Sequence, residues 1–274
     1  MNGIMAIVSL DMKRFFQDKV RLISGLIQPL LYLFLLGSGL GASMNLHPPG
    51  APTAAAGANV FDYRAFIFPG VISLALLFNA TFAAITIVFD RQIGFFKAVL
   101  VSPVARPAIA VGKVVSGALQ GAAQGVVLLC FLPVMNIHPG FGGLLLAVLA
   151  MMLAALTFSA LGVAMASRFT STTVFPIMTN TVILPMFFLS GAMYPLQPAP
   201  GWMKVLAHLD PVAYAVDLMR GALLGSDHMF FQSPWLSVGV LVVFIAVLTW
   251  SAISVFAKGE ELDLTGASQF NWRK

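Results

Sequence analysis

Six stretches of the chain, about 22–43, 65–89, 108–134, 141–166, 174–196 and 235–257, are each long and apolar enough to cross a bilayer. A helix rises about 1.5 Å per residue and the hydrocarbon core is about 30 Å thick, so roughly 20 predominantly apolar residues span it. Inside lipid every backbone N–H and C=O must be satisfied within the segment, and an isolated apolar stretch does that only as a helix. The chain is 59% hydrophobic and 9% charged, against about 25% charged in an ordinary soluble domain. It cannot cover itself with a wetted surface. The expectation is an all-α integral membrane protein, with residues 1–274 forming a single transmembrane domain.

Basic residues orient the spans. The segment 1–21 carries Lys13, Arg14, Lys19 and Arg21, the 90–107 connection Arg91, Lys97 and Arg106, the 167–173 connection Arg168, and the 258–274 tail Lys258, Arg273 and Lys274. The alternate connections hold only Arg64, Lys204 and Arg220, with Lys113 at the start of the third span. Cytoplasmic loops collect Lys and Arg, so both termini and the 90–107 connection are expected in the cytoplasm of a multi-pass plasma-membrane protein. The same rule accounts for the net charge of +5 without a nucleic-acid partner. The first apolar run is too long for a signal peptide. Ile4, Val8, Met12 and Phe15 give segment 1–21 an apolar stripe, with Asp11 beside it and Phe16 pointing away, which reads as a helix lying at the interface. Residues 44–64 are rich in Pro, Gly and Ala and read as irregular. Residues 197–234 contain a helical stretch at about 202–224, which cannot cross without inverting the last span and so reads as re-entrant or interfacial.

Catalytic chemistry finds no support. The aspartates Asp62, Asp90, Asp210, Asp217 and Asp227 fall in loops or at span ends, and no phosphate-binding loop, zinc-protease or nucleophile-elbow motif occurs. The chain carries no ATP-hydrolysing or metal site of its own; His47, His138, His208 and His228 are scattered through the connections. Cys130 lies in an apolar run and reads as a small buried core residue. No span holds an ionisable group at mid-depth, which argues against an ion-coupled pump. Neutral polar residues do occur in the spans. Asn79, Gln120, Gln124 and Asn180 are candidates for a polar substrate path, against the plainer reading of hydrogen bonds between helices. Gly117, Gly121 and Gly125 form a small-residue ridge whose partner, in this chain or in a second subunit, the sequence leaves open.

The 90–107 connection is the most informative stretch. Phe89, Ile93, Phe96 and Leu100 share one helical face, with Phe95 and Val99 flanking it, while Asp90, Arg91 and Lys97 fall on the other; Ser102-Pro103 ends the run. This is a short amphipathic helix, either a surface anchor for the flanking spans or a docking element that presents charge to a cytoplasmic partner. The stretch FDRQIGFFKAVLVSPVARPAIAVGK resembles the cytoplasmic signature of type-2 ABC transporter permeases, the export family of daunorubicin-resistance-type and nodulation-type permeases. Asp90, Arg91, Gly94, Phe95, Phe96, Lys97, Leu100, Val101, Ser102, Pro103, Val104, Ala105 and Arg106 carry the likeness. A second match runs from 187 to 225 and ends in the pattern supplied by Pro211, Tyr214, Asp217, Arg220 and Gly221.

The resemblance implies six spans, a coupling helix between spans two and three, and re-entrant helices between spans five and six. It also implies a second permease subunit, identical or not, and a separate ABC ATPase that holds ATP and Mg. Asp90, Arg91, Gly94, Phe95, Phe96, Lys97, Ser102, Pro103 and Arg106 become the candidate ATPase-docking residues, with the N-terminal interfacial segment as a second implied contact. Asp217 and Arg220, three apart, read as a local surface ion pair, with a gate role as the alternative. The implied function is ATP-driven export (efflux) of a drug-like or lipid-like substrate, antibiotics included. A polysaccharide or glycolipid exporter, a channel or carrier that needs no ATPase, and a membrane scaffold are the alternatives.

Overall fold

A computed structural model describes residues 2–44, 63–92, 106–169, 171–225 and 232–268. Among these residues every regular element is helical, as the apolar stretches require. Most of the 44–64 connection, and the 93–105 part of the amphipathic helix, fall outside them.

Helix α1 (Asn2–Gln17) meets α2 (Lys19–Met44) at Asp18, whose carboxylate caps α2 by accepting the Arg21 backbone N–H at 3.0 Å. Helix α3 (Tyr63–Gln92) is buried along most of its length and runs through the centre of the bundle. Helix α4 (Arg106–Leu129) follows, then a 3-10 turn at Leu132–Met135, then α5 (Phe141–Ala166). The third apolar stretch was expected to remain helical to 134. It leaves the α-helix at Leu129 because Pro133 has no N–H to continue the ladder. Cys130 lies between the end of α4 and the 3-10 turn and is exposed, not buried as its apolar neighbours imply.

Helix α6 (Val174–Leu189) covers only the first part of the expected 174–196 span. Ser190 and Gly191 end it, with Gly191 at φ +73°, a conformation that glycine adopts without a side-chain clash. Two short helices follow, α7 (Gly201–Leu209) and α8 (Pro211–Leu224), and then α9 (Pro234–Ser268). His208 therefore belongs to the last turn of a helix, not to a loop. Among the described residues, α2, α3, α5 and α9 are long and apolar enough to cross a membrane, and α6 is a shorter apolar helix. Helix α4 is long enough by rise alone, about 36 Å; its glutamines and lysine lower its apolar character.

That polarity faces inward, and so does the glycine ridge. A Cβ on Gly117 would lie 2.3 Å from Ser159 Oγ, and one on Gly125 would lie 2.3 Å from Met151 Sδ, both on α5. Ser159 Oγ also donates to the Val114 carbonyl at 2.8 Å. The ridge thus packs against α5 of the same chain, a close approach that only small residues permit.

Helix α8 is buried against α3, α5 and α9 through Val212, Tyr214, Val216, Met219 and Leu223. Helix α7 stays at the edge, with Trp202, Val205 and Leu209 exposed. The hinge between them is Asp210, which accepts the Val212 N–H at 2.8 Å, with Pro211 at the first helical position. The other carboxylate oxygen is buried and has no hydrogen-bond partner among the described residues. Burial pushes the Asp210 carboxyl up to about 8, the Val212 N–H acting in the opposite sense.

A raised carboxylate pKa means that the folded state holds its proton longer than the unfolded state. The stabilising contribution is complete below the ordinary value of 3.8 and is lost as the pH rises towards about 8. Thermal unfolding in detergent, followed by tryptophan fluorescence, should show Tm falling across that window. Asp210→Asn keeps a good cap but cannot ionise, so its profile should be flatter.

Candidate functional site

Asp90 and Arg91 lie in the last turn of α3, immediately before the 93–105 segment, and α4 begins immediately after it. Asp90 was expected on the outward charged face of the amphipathic helix. It is instead 6% exposed, and Lys113 of α4 and Asp11 of α1 are 9% and 8% exposed beside it. Lys113 Nζ donates to Asp11 Oδ1 at 3.0 Å and to Asp90 Oδ2 at 3.4 Å. Ser116 Oγ donates to Asp11 Oδ2 at 2.9 Å, and Arg14 Nη1 lies 3.6 Å from Asp90 Oδ1. Two carboxylates are matched by two cations, so each buried charge is paired.

Arg91 also turns inward. Its Nη1 donates to the Ser167 carbonyl at 2.8 Å, and its guanidinium carbon lies 5.1 Å from the centre of the Phe256 ring. The neighbouring Gln92 accepts from Thr172 Oγ1 at 3.2 Å. The end of α3 is therefore tied to α1, α4, the α5–α6 connection and α9. Gly94, Phe95, Phe96, Lys97, Ser102 and Pro103, and the side chain of Arg106, lie outside the described residues.

Three of the four candidate path residues are occupied between helices. Asn79 Nδ2 donates to Gln124 Oε1 at 2.7 Å, and Arg21 Nη2 donates to Gln120 Oε1 at 2.8 Å. Only Asn180 opens onto free space. It lines a groove of about 400 Å³ between α2, α3 and α6, together with Gln28, Tyr32, Thr81, Phe82 and Leu184.

At the opposite end of the bundle, Asp217 and Arg220 are both buried, which corrects the surface ion pair expected from their spacing. Arg220 Nη2 lies 3.2 Å from the Gly191 carbonyl and 3.3 Å from that of Ala192, and its guanidinium carbon is 3.7 Å from the Phe66 ring centre. Asp217 Oδ2 accepts the Gln232 N–H at 3.2 Å. The inner face of α8 thus pins the turn after α6 and the start of α9.

A model of the ABC-2 type transporter family matches residues 2–224, which include α1, both ends of the 93–105 segment, and α8. The chain belongs to the ABC-2 type transporter family. This transport permease is similar to nodulation protein J of Rhizobium leguminosarum bv. viciae, 28% identical over 228 residues, 82% of each chain. It is also similar to the inner membrane transport permease YadH of Escherichia coli K12, 28% identical over 204 residues, 70% of this chain and 75% of YadH. A third similar protein is the putative transport permease ycf38 of Porphyra purpurea, 26% identical over 220 residues, 77% of this chain and 70% of that one. The resemblance read from the two motifs is borne out.

Sequence reasoning missed the ion cluster of the permease, although both halves left a trace. Asp11 interrupts the apolar stripe of α1, and Lys113 stands alone near the start of an apolar run. Two such misfits, one acidic and one basic, are explained together once they meet.

Removing one member of a buried ion pair leaves an unpaired charge, at a cost of about 3–5 kcal/mol. Asp90→Ala should therefore lower the denaturation midpoint in mild detergent. Asp90→Glu should recover part of the loss, and Lys13→Ala, on the exposed face of α1, should leave the midpoint unchanged.

Proposed function

We propose that this permease is the membrane subunit of an ATP-driven exporter and that a separate ATPase docks on the 93–105 segment. The observation that carries the reading is the buried cluster of Asp11, Asp90 and Lys113. It fixes both ends of a short segment at the α1 end of the bundle, as a mechanical input requires. On this reading that end faces the cytoplasm, in line with the excess of Lys and Arg there, and the six apolar stretches are six spans. Hydrolysis belongs to the partner, since this chain has no phosphate-binding loop. ATP and Mg are the partner's ligands, and a second permease subunit completes the pathway.

The docking contacts fall to Gly94, Phe95, Phe96, Lys97, Ser102, Pro103 and Arg106. Asp90 and Arg91 hold the base on which those residues stand. The substrate is amphipathic, drug-like or lipid-like. The support is a groove open at its side with amide, phenol and hydroxyl groups (Asn180, Gln28, Tyr32 and Thr81) set among Phe82, Ile85 and Leu184. Export of a glycolipid or polysaccharide is the second reading, favoured by the similarity to nodulation protein J.

Affinity purification of the tagged chain in mild detergent, with mass spectrometry, should recover a near-stoichiometric ATPase. Its reproducible absence from intact, folded chain would favour an ATPase-independent channel or carrier. Lys97→Glu should leave insertion intact and lower coupled hydrolysis about ten-fold, roughly 1.4 kcal/mol of docking energy. Arg91→Glu should instead reduce folded yield, because it places a carboxylate against the Ser167 carbonyl and the Phe256 ring. Asn180→Leu should change transport of polar-headed substrates more than coupled hydrolysis.

A further inference from the structure

We infer that Gln124 is a positioning residue that sets the width of the groove lined by Asn180, and with it the girth of the molecule that the groove admits. The inference rests on reading that groove as the substrate site and deepens it: selectivity for size is set from behind the wall, by a side chain that holds the lining helices apart.

Gln124 of α4 meets two walls of the groove at once. Its Oε1 accepts from Asn79 Nδ2 of α3 at 2.7 Å, and its Nε2 faces α2 at Gly25, where an added Cβ would lie only 2.1 Å away. Gln124 and Asn79 are both buried, so bulk water does not compete for the amide, and the side chain is a spacer between α2 and α4. Lining residues stand beside both contacts. Gln28 and Tyr32 follow Gly25 by three and seven positions and share its face of α2. On α3, Phe78 adjoins Asn79 and Phe82 follows it by three. The standoff at Gly25 therefore decides how far Gln28 and Tyr32 stand from α3 and α6.

Helix α2 is built to follow the spacer. Pro29 has no N–H for the Gly25 carbonyl, four residues back, so the helical ladder is open at the contact. A helix bends where its ladder is interrupted. Beyond that point Leu31, Phe34 and Leu35 are exposed, and among the described residues no helix presses on them from outside. Before it, Arg21 Nη2 donates to Gln120 Oε1 at 2.8 Å. That bond fixes the height of α2 on α4, and Gln124, one turn along, fixes its distance. A side chain at Gly25 has two outlets. Moving the Gln124 amide aside gives up the Asn79 bond, and keeping that bond pushes α2 outward. Either outlet lengthens the tie between the walls.

The test uses the full chain, purified in mild detergent, with Cys130→Ser and Thr81→Cys, so that the sole thiol stands in the groove. Thr81 is half-buried and its hydroxyl donates within its own helix, to the Leu77 carbonyl at 3.0 Å, so this exchange spares the bonds between helices. Two methanethiosulfonates, one carrying a methyl group and one a biotinylated arm, are reacted in parallel. The ratio of the bulky rate to the small rate reads the width. Gly25→Ala should raise the ratio several-fold. Gln124→Ala removes the spacer, lets α2 settle inward and should lower the ratio several-fold. Gly25→Ala combined with Gln124→Ala should return close to the starting ratio, because the new methyl takes up part of the vacated space.

A bundle that is merely loosened raises the ratio in both single variants and further in the double one. That pattern would overturn the inference, and so would a ratio that neither single variant moves. Should Gly25→Ala fail to fold, the sign of the Gln124→Ala effect still decides. The substrate reading of the groove stands or falls separately, on whether Asn180→Leu alters transport, since that assay shares no readout with the thiol rates.

Discussion

An ammonium group near the start of an apolar helix is tolerable only where carboxylates meet it, and Lys113 meets two. Most of the α1 end follows from that requirement. Asp11 must be brought to α4, which presses α1 onto the bundle. Asp90 must reach the same amine, which brings the last turn of α3 beside the first turns of α4. Replacing such a cluster with well-packed apolar residues is often neutral or stabilising, so its value lies in fixing which elements touch.

Helix α4 organises more than this corner. Lys113, Ser116, Gln120 and Gln124 are spaced three or four apart and share one face. Along that face they meet α1 through Asp11, α2 through Arg21 and α3 through Asn79. Gly25 of α2 belongs to the same seam, because a Cβ there would lie 2.1 Å from Gln124 Nε2. The glycine ridge occupies the adjoining face and admits α5. One helix thus meets its neighbours by two different means. Hydrogen bonds between helices in lipid contribute about 0.6 kcal/mol each on average, so their worth here is mainly in setting register.

What the sequence disclosed follows from which forces act locally. Apolar length is a property of single stretches, and it located the helix starts to within a few residues; α9 continues to Ser268, well past the expected end at 257, because a helix does not stop where its apolar character does. Breakers moved the ends: Pro133 closed α4 early and Gly191 closed α6 early. Composition also placed Cys130 in a core that the turn at that point takes it out of. Pairings between distant residues are not local. Asp11 and Lys113 are 102 positions apart, and each alone looks like a flaw in an apolar pattern. Asp217 and Arg220 show a different limit, since sequence spacing does not report burial. Their spacing reads as a surface pair, whereas burial of α8 encloses both; Asp217 still acts on Arg220 electrostatically, and each also holds backbone, the Gln232 N–H and the carbonyls of residues 191 and 192. The motif of the 93–105 segment was legible as a family signature, and its inward-facing neighbours were not, because an amphipathic wheel does not say which face a larger fold covers.

Helix α6 is 16 residues long, about 24 Å, against a hydrocarbon core of about 30 Å. The chain then turns with carbonyls still at membrane depth, where irregular backbone survives only if protein satisfies it. Arg220 does so for Gly191 and Ala192, and the Tyr63 hydroxyl does so for Met193 at 3.1 Å. The face of the bundle around α6 is therefore matched to a thinner bilayer than the faces around α3 and α5. Hydrophobic mismatch of this kind draws the headgroups of one leaflet inward beside a single helix. The groove lined by Asn180 opens on that same face, where the apolar distance to the polar boundary is shorter than beside the longer helices α3 and α5.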